Sequence, residues 1–290
     1  MTRQKTALVT GASSGIGYAT AIEFAKRGYK TFACARRLGP MEPLKEHGIT
    51  IFQCDVSLLE SVRAARKFIA EQTDGYLDFL FNNAGQSCTF PALDVTDEAF
   101  ETCFQVNVFG PIRMTREFAP LLINAKGTVG FTGSVSGLVP FPFSCIYSST
   151  KAAIHQYAAT LRVEMKPFGV KVINIVTGGV RTNIADTRDL PEGSLFAVPG
   201  IDEAMIERKQ MAARNNPMPA EKYASKVVSD FENLRIEGSL NFYRGHMASL
   251  LGHLMSWCPR FIVERILVRK FRLTNVFAKV SEKYSKQKIE

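Results

Sequence analysis

The stretch that decides the fold is Lys5-Thr-Ala-Leu-Val-Thr10, followed directly by Gly11-Ala-Ser-Ser-Gly15-Ile-Gly17. The first segment is a short apolar run typical of a buried β-strand, and Tyr18 to Arg27 has helical character. Glycines between a strand and a helix let the backbone approach a pyrophosphate, whose charge the helix N-terminus stabilises. We therefore predict a dinucleotide-binding turn whose contacts come from Gly11, Ser13, Ser14, Gly15, Ile16 and Gly17.

The same residues also form the Gly-x-Ser-x-Gly pattern of esterases and lipases, at Gly11-Ala-Ser13-Ser-Gly15. In those hydrolases several strands precede the nucleophile elbow, and an acidic residue and then a histidine follow it. Here the elbow would follow the first strand, and no motif places the later histidines. A lipid-droplet hydrolase that uses Ser13 stays the alternative from another enzyme class.

The second predicted strand, Lys30 to Ala35, ends in Arg36-Arg37. About 20 residues after the glycines, NAD-binding proteins offer an acidic residue to the ribose hydroxyls, whereas an arginine accommodates a 2′-phosphate. Two arginines and no acid at this position favour NADPH as the cofactor.

Two further strands are predicted at Thr50 to Cys54 and at Leu77 to Phe81. Asp55-Val56 follows the first of them, where the carboxylate is expected to meet the adenine amino group, and Ser57 is the expected N-cap of a helix through Gln72. Asn82-Asn83-Ala84-Gly85 follows the second. Strands alternating with helices at this spacing predict an α/β fold with a doubly wound parallel sheet that binds ligands at the carboxyl ends of its strands.

Ser134 and the segment Tyr147-Ser-Ser-Thr-Lys151 carry the candidate chemistry. Residues four apart on a helix share one face, so the Lys151 ammonium is expected to lower the pKa of Tyr147 from about 10 toward neutrality. Such a tyrosine exchanges a proton with a substrate oxygen. Ser134, after a β-like run, is expected to hydrogen-bond the same oxygen. Taken alone, Tyr-x-x-x-Lys also fits an exposed tyrosine and a solvated lysine.

Together these motifs resemble the short-chain dehydrogenase/reductase family over about residues 5–185. Segments such as Cys34-Ala-Arg-Arg37 and Pro217-Met-Pro-Ala220 are similar to those of its fungal members that use NADPH to reduce acylated dihydroxyacetone phosphate. The resemblance implies an acylated ketone phosphate substrate, a product used for phosphatidic acid, and a location at endoplasmic reticulum and lipid droplets. A steroid or retinoid carbonyl reductase is the alternative with the same chemistry.

The resemblance also implies roles for individual residues. Tyr147 protonates the carbonyl oxygen, Ser134 orients it, and Lys151 lowers the pKa of Tyr147 and holds the nicotinamide ribose. Asn107 is expected to fix a water that relays a proton to Lys151. The implied cofactor contacts beyond the glycine turn are Arg36, Arg37, Asp55, Val56, Asn83, Ala84, Gly85, Tyr147, Lys151, Val180 and Thr182.

One departure from the family follows the predicted sixth strand, Val170 to Val176. The family usually has Pro-Gly there, and this chain has Thr177-Gly178-Gly179. Because proline fixes φ, we expect a looser loop.

Substrate binding is predicted from the second half of the chain. We divide the whole chain into a reductase domain at 1–245, with a substrate lid at 184–217, and an extension at 246–290. The residues expected to bury an acyl chain are Phe90, Phe141, Phe143, Ile184 and Phe196, and those expected to bind a phosphate are Arg181, Arg188 or Arg244.

The Tyr147 helix is expected to continue to Lys166. His155 is predicted to lie on its surface. The apolar positions of this helix, which are interpreted as core or as the interface of a homo-oligomer, are Ala153, Ile154, Tyr157, Leu161 and Met165.

The extension is apolar from Gly245 to Pro259 and basic from Arg260 to Glu290, a segment that contains nine Lys or Arg and three Glu. Spanning a bilayer takes about 20 apolar residues, so the apolar part is too short. We expect residues 245–272 either to lie on a membrane or lipid-droplet surface or to cover the substrate cleft. Truncation after Tyr243 would then release the protein from lipid.

Composition is consistent with one sizeable α/β domain: 290 residues, 46% hydrophobic, net charge +9. The six cysteines form no C-x-x-C pair, which predicts neither zinc nor a disulfide framework. The strand at Lys5 leaves no room for a secretory signal, so we expect an intracellular protein. Apolar residues between the basic ones favour lipid over nucleic acid as the partner of the tail.

Overall fold

The computed structural model describes residues 3–285 and contains one sheet of parallel strands. The strands are β1 (Thr6–Thr10), β2 (Lys30–Ala35), β3 (Thr50–Gln53), β4 (Phe79–Asn82), β5 (Thr128–Ser134), β6 (Lys171–Thr177) and β7 (Asn241–Arg244). Their order is β3-β2-β1-β4-β5-β6-β7. All five residues of β1 and all four of β4 are buried, as expected for strands covered on both faces. The predicted doubly wound parallel sheet is confirmed.

The helices are α1 (Gly15–Lys26), α2 (Leu59–Gln72), α3 (Asp97–Phe104), α4 (Gly110–Ala125), α5 (Cys145–Met165), α6 (Ile201–Lys209), α7 (Met211–Arg214), α8 (Ala220–Asn233), α9 (Ala248–Trp257), α10 (Arg260–Lys270) and α11 (Leu273–Ser285). A π-helical turn, Gln105–Phe109, joins α3 to α4. Helices α2, α4 and α5 pack on one face of the sheet, and α1 and α8 pack on the other.

Each face of the sheet has its own apolar core. On the α1 and α8 side, Phe24 and Phe231 meet edge to face with ring centroids 5.9 Å apart. Gly130 of β5 makes room for this contact, because a Cβ there would collide with the Phe231 ring. On the other side, Phe118 of α4 and Ile154 of α5 are buried against the sheet. The two cores fix the helices and thereby the loops at the carboxyl ends of the strands.

A third core joins the C-terminal extension to the loop after β5. Phe141 and Phe143 of that loop pack with α6, α10 and α11, and Phe271 and Leu273 of the extension are fully covered there. The rings of Phe141 and Phe271 lie 6.4 Å apart. The extension is therefore folded onto the domain beside the carboxyl ends of the strands. No helix within residues 3–285 is long and apolar enough to cross a bilayer.

Strand and helix limits differ slightly from the predicted ones. Strand β3 ends one residue earlier than predicted, and β4 begins two residues later. The prediction that Ser57 is the N-cap of α2 was wrong, because that position belongs to Leu58. The Ser57 hydroxyl and N–H instead donate to Asp55 Oδ1, at 2.6 and 2.9 Å.

Candidate active site

A cavity of about 1240 Å³ opens at the carboxyl ends of β1 to β6. The topology dictates this position, since parallel strands deliver the loops that follow them to one edge of the sheet. The predicted site residues that line it are Gly11, Ser13, Ser14, Gly15, Ile16, Arg36, Arg37, Asp55, Val56, Asn83, Ala84, Gly85, Ser134, Tyr147, Lys151, Val180 and Thr182. Gly17 and Asn107 lie behind the wall and do not line the cavity.

The glycine turn is packed tightly against the loop after β4. Gly11 has φ +66°, and a Cβ there would lie 2.6 Å from the Cα of Ala84. A Cβ at Gly17 would lie 2.5 Å from Asn83 Nδ2, so Gly17 serves the packing of helix against strand. The Thr10 hydroxyl accepts hydrogen bonds of 3.0 Å from the N–H groups of Asn83 and Ala84. The turn leaves the N-terminus of α1 open to the cavity, which fits a pyrophosphate.

The adenosine end of the cavity carries two exposed cations. Arg36 and Arg37 follow β2, and neither forms an ion pair with a carboxylate among residues 3–285. Asp55 lies nearby at the end of β3, and its backbone N–H donates to Ser61 Oγ at 2.9 Å. Guanidinium groups without partners at this place fit the 2′-phosphate of a phosphorylated dinucleotide. The residues present therefore fit the predicted NADPH.

Ser134, Tyr147 and Lys151 meet in the middle of the cavity. Ser134 is the last residue of β5, Tyr147 lies in the first turn of α5, and Lys151 lies one turn further on. Tyr147 makes a hydrogen bond with Ser134. The Lys151 Nζ donates to the carbonyl oxygen of Thr132 at 2.8 Å and lies 5.6 Å from the centroid of the Tyr147 ring. The alternative of a solvated surface lysine does not hold, because Lys151 is 5% exposed.

The electrostatics of this group differ from the predicted picture. Burial raises the pKa of Tyr147, and the hydrogen bond from Ser134 opposes that rise. Burial lowers the pKa of Lys151 to about 8. The prediction that Lys151 lowers the pKa of Tyr147 toward neutrality was wrong here, because desolvation of the phenol dominates and the ammonium points at Thr132. The phenol is therefore a proton donor at neutral pH.

Asn107 braces the wall of the site. It lies in the π-helical turn and is 1% exposed. Its Oδ1 accepts from the N–H of Gln86 at 2.8 Å, and its Nδ2 donates to the Gln86 carbonyl at 2.9 Å and to Thr150 Oγ1 at 3.1 Å. The side chain thereby ties the loop after β4 to α5, one residue from Lys151. The predicted water relay through Asn107 stays a prediction.

His155 belongs to the site and was missed. The prediction of a helix-surface residue was wrong, because its Nε2 accepts a 3.1 Å hydrogen bond from the N–H of Ser134. The ring fills space left by two glycines, since a Cβ at Gly133 would lie 2.6 Å from it and one at Gly137 would lie 3.0 Å from it. Burial and the nearby Lys151 charge lower the pKa of His155 to about 4. Gly133 and Gly137, which leave space for a side chain beside Ser134, were the sequence signal that could have indicated the position of His155.

The loop after β6 is held by backbone hydrogen bonds despite the missing proline. Gly178 N–H donates to the Arg244 carbonyl at 2.8 Å, and Gly179 exchanges hydrogen bonds of 3.0 and 2.8 Å with His246. A Cβ at Gly178 would collide with the His246 carbonyl oxygen. The expectation of a looser loop was wrong, because the start of the extension pairs with it. Thr182 is thereby held against Gly15. The methyl carbon of Thr182 would lie 3.0 Å from a Cβ added at Gly15.

The substrate side of the cavity differs from the predicted set. Phe141 and Ile184 line it, but Phe143 and Phe196 pack against each other in the third core, and Phe90 lies under the Arg188 guanidinium. The apolar wall comes instead from the extension, which contributes Leu251, Leu254, Val263, Ile266 and Leu267. The sequence did not reveal this because the contacts join residues more than a hundred positions apart.

The three arginines predicted to bind a phosphate are placed unfavourably. Arg244 pairs with Asp230 at 2.5 Å in a separate small pocket, and Arg181 does not line the cavity. Arg188 lines it, but its guanidinium already pairs with the buried Asp186 at 2.6 Å. A different arginine, Arg208 of α6, lies buried in the wall.

The Ser13 elbow forms no hydrogen-bonded catalytic pair in the described part of the chain. No hydrogen bond joins Ser13 to a histidine within residues 3–285, and the half-buried His155 is engaged with Ser134.

Comparisons with known proteins agree with this geometry. The short chain dehydrogenase family matches residues 5–192. The chain is 51% identical over 278 residues, 94% of this chain and 93% of the relative, to the NADPH-dependent 1-acyldihydroxyacetone phosphate reductase of Saccharomyces cerevisiae. A protein of the same name from Schizosaccharomyces pombe is 38% identical over 219 residues, 75% of this chain and 74% of that one.

A solved structure is similar over almost the whole fold. The short-chain dehydrogenase from Streptomyces avermitilis has a TM-score of 0.77 and 26% identity, and the match covers 95% of this chain and 98% of that one. This chain therefore belongs to the short-chain dehydrogenase/reductase family, whose members are oxidoreductases.

Proposed function

We propose that this chain reduces the ketone of an acylated dihydroxyacetone phosphate to the secondary alcohol, giving 1-acylglycerol 3-phosphate, with NADPH as the cofactor. The observation that carries the proposal is the convergence of Ser134, Tyr147 and Lys151 on one cavity that also receives Arg36 and Arg37. The 51% identity to the Saccharomyces cerevisiae reductase supports the choice of substrate.

The chemistry follows from the protonation states in the site. NADPH supplies a hydride to the ketone carbon when it is bound. The Tyr147 phenol, whose pKa is raised by burial, is protonated at neutral pH and donates its proton to the carbonyl oxygen. Ser134 hydrogen-bonds the same oxygen and orients it. Lys151, whose pKa is about 8, is cationic at neutral pH and stabilises the phenolate that remains.

The cavity also suits an acyl chain. Its far side is built from apolar residues of α9 and α10, among them Leu254 and Leu267, next to Phe141. Burial of each methylene of an acyl chain contributes on the order of 0.8 kcal/mol, so a chain of several methylenes gains substantial affinity.

The test is NADPH consumption by the purified protein with acylated and free ketone phosphates and with a steroid ketone. We expect the acylated ketone phosphate to be preferred, and Tyr147→Phe to reduce its turnover by about 10²–10⁴-fold. Preference for the steroid ketone would favour the alternative reductase. An esterase assay with Ser13→Ala addresses the hydrolase alternative: ester cleavage that is lost in Ser13→Ala and kept in Tyr147→Phe would contradict our proposal.

We further propose that the extension docks on a lipid surface, which agrees with the predicted location at endoplasmic reticulum and lipid droplets. Trp257, Phe261 and Leu250 are exposed by 65%, 63% and 49% on the outer side of α9 and α10. Arg260 and Arg265 lie beside them, and such a mixture of aromatic and basic residues suits an anionic lipid interface. The predicted homo-oligomer stays a prediction.

A further inference from the structure

Arg208 is a buried cation in the wall of the active-site cavity. It is 7% exposed, its Nε donates to the Pro142 carbonyl oxygen at 2.9 Å, and its Nη2 donates to Ser144 Oγ. Within residues 3–285 no carboxylate forms an ion pair with it, and its Nη1 has no hydrogen-bond acceptor. Burying an unpaired charge is costly, so a cation in this state is suited to receive an anionic ligand.

The guanidinium lies beside two aromatic rings that are in contact with each other. Its Cζ lies 5.5 Å from the centroid of the Phe141 ring and 5.8 Å from that of the Phe271 ring. A guanidinium is weakly hydrated and interacts favourably with such rings, and its hydrogen bonds to Pro142 and Ser144 restrict the direction of its free N–H groups. Although burial lowers its pKa to about 10, Arg208 stays charged at neutral pH. The surrounding apolar groups strengthen its attraction for an anion.

Arg208 lies close to the group that protonates the substrate. Its partner Ser144 directly precedes α5, and Tyr147 lies in the first turn of that helix. The positive charge of Arg208 also acts on Tyr147 and favours a lower pKa of the phenol. In the proposed substrate, one methylene and one ester oxygen separate the phosphorus from the ketone carbon. A ketone positioned at Tyr147 therefore brings its phosphate into this neighbourhood.

Two lysines add positive charge to the same wall. Lys209 follows Arg208 on α6, and Lys270 is contributed by α10 of the extension. Lys270 Nζ donates to Asn215 Oδ1 at 3.4 Å and is otherwise exposed to solvent. By contrast, the Arg188 charge on this wall is balanced by Asp186. The positive potential of the substrate side is thus concentrated around Arg208.

We propose that Arg208 binds the phosphate of the substrate and thereby selects phosphorylated ketones over neutral ones, with Lys270 of the extension assisting. The proposal rests on the proposed function and deepens it. It assigns Arg208 a role in specificity, because Arg208 contacts a part of the substrate that does not react.

The test compares 1-acyldihydroxyacetone phosphate with its dephosphorylated analogue, 1-acyldihydroxyacetone, in wild type, Arg208→Met, Arg208→Lys and Lys270→Met. The preference for the phosphorylated ketone is measured as the ratio of the kcat/KM values for the two ketones. It should fall about ten- to hundred-fold in Arg208→Met, because a strong, charge-assisted hydrogen bond to the phosphate is lost. The loss should lie mainly in KM. Arg235→Met, at an exposed arginine outside both the cavity and the extension, is the control and should keep the preference.

Each result decides the question. An equal loss with both ketones, or a shift of the pH profile of kcat without a change in preference, would overturn the phosphate assignment and leave the reductase function intact. A wild-type enzyme that reduces both ketones equally would do the same, whereas one that reduces neither would refute the proposed function itself. Arg208→Met is not informative if it does not fold, which non-cooperative unfolding would reveal. In that case Arg208→Lys and Lys270→Met are used, and a loss of kcat/KM confined to the phosphorylated ketone supports the proposal.

Discussion

His155 accepts a hydrogen bond of 3.1 Å from the backbone N–H of Ser134, the residue that we propose orients the substrate oxygen. We expect His155→Leu to lower the free energy of unfolding by about 1–3 kcal/mol, because a buried N–H loses its acceptor. It should also lower kcat, since the position of Ser134 is no longer fixed. His155→Gln keeps an acceptor and should recover most of both. Urea unfolding and steady-state kinetics measure the two effects, with the exposed His47→Leu as control. Equal behaviour of the Leu and Gln variants would refute the positioning role.

The same histidine predicts a pH dependence of stability. Its pKa is lowered to about 4 in the folded protein, whereas an unfolded chain has a histidine pKa of about 6.5. Between these values the unfolded state binds the additional proton, so the free energy of unfolding should fall as the pH decreases from about 6.5 to 4. His155→Gln should flatten this part of the curve. Thermal melts across this pH range provide the measurement, and identical slopes for both proteins would exclude the assignment.

Gly11 and Gly28 form a matched pair for testing the glycine turn. Both have positive φ, +66° and +84°, but a Cβ at Gly11 would lie 2.6 Å from Ala84 Cα, whereas nothing lies within 4 Å of one at Gly28. Gly28→Ala should cost only the strain of the left-handed backbone, about 1–2 kcal/mol. Gly11→Ala should cost more and abolish NADPH binding. Urea unfolding and NADPH titration check this, and equal costs would show that close packing does not require Gly11.

Arg36 and Arg37 are expected to decide between the two nicotinamide cofactors. Replacing each by Gln should lower kcat/KM for NADPH by roughly ten- to hundred-fold, because a charge-assisted hydrogen bond to the 2′-phosphate is lost. The value for NADH should stay near that of the wild type. Arg116→Gln, which is exposed on α4, is the control. A parallel decline with both cofactors would mean that the arginines do not bind the 2′-phosphate.

The lipid proposal calls for surface variants in place of a truncation. Removing everything after Tyr243 would also remove Leu267 and Phe271, which are buried in the third core, and would open the cavity. Trp257→Ser with Phe261→Ser changes only exposed side chains and should reduce flotation with vesicles that contain anionic lipid. Phe168→Ser, at a site exposed by 51% elsewhere, should not. Undiminished flotation of the double variant would reject this docking surface.

The sequence by itself determined the strands up to β6, the glycine turn, and the choice of Ser134, Tyr147 and Lys151 as candidate catalytic residues. These features depend on local spacing, such as an apolar run followed by glycines or two residues four apart on a helix, and the combination of several such motifs decided between their alternative interpretations. Parallel topology then places the residues after each strand at one edge, which explains why the turn, Arg36 and Asp55 line the same cavity.

Only the tertiary structure decided the electrostatics and the substrate side. The pKa of Tyr147 depends on how far the phenol is desolvated, which no spacing of residues specifies. His155 and Arg208 look like surface residues in their helices, and they become part of the site through distant groups such as Ser134 and Phe271. Long-range packing of α6 and the C-terminal extension brings these groups together, and local sequence patterns do not predict such packing.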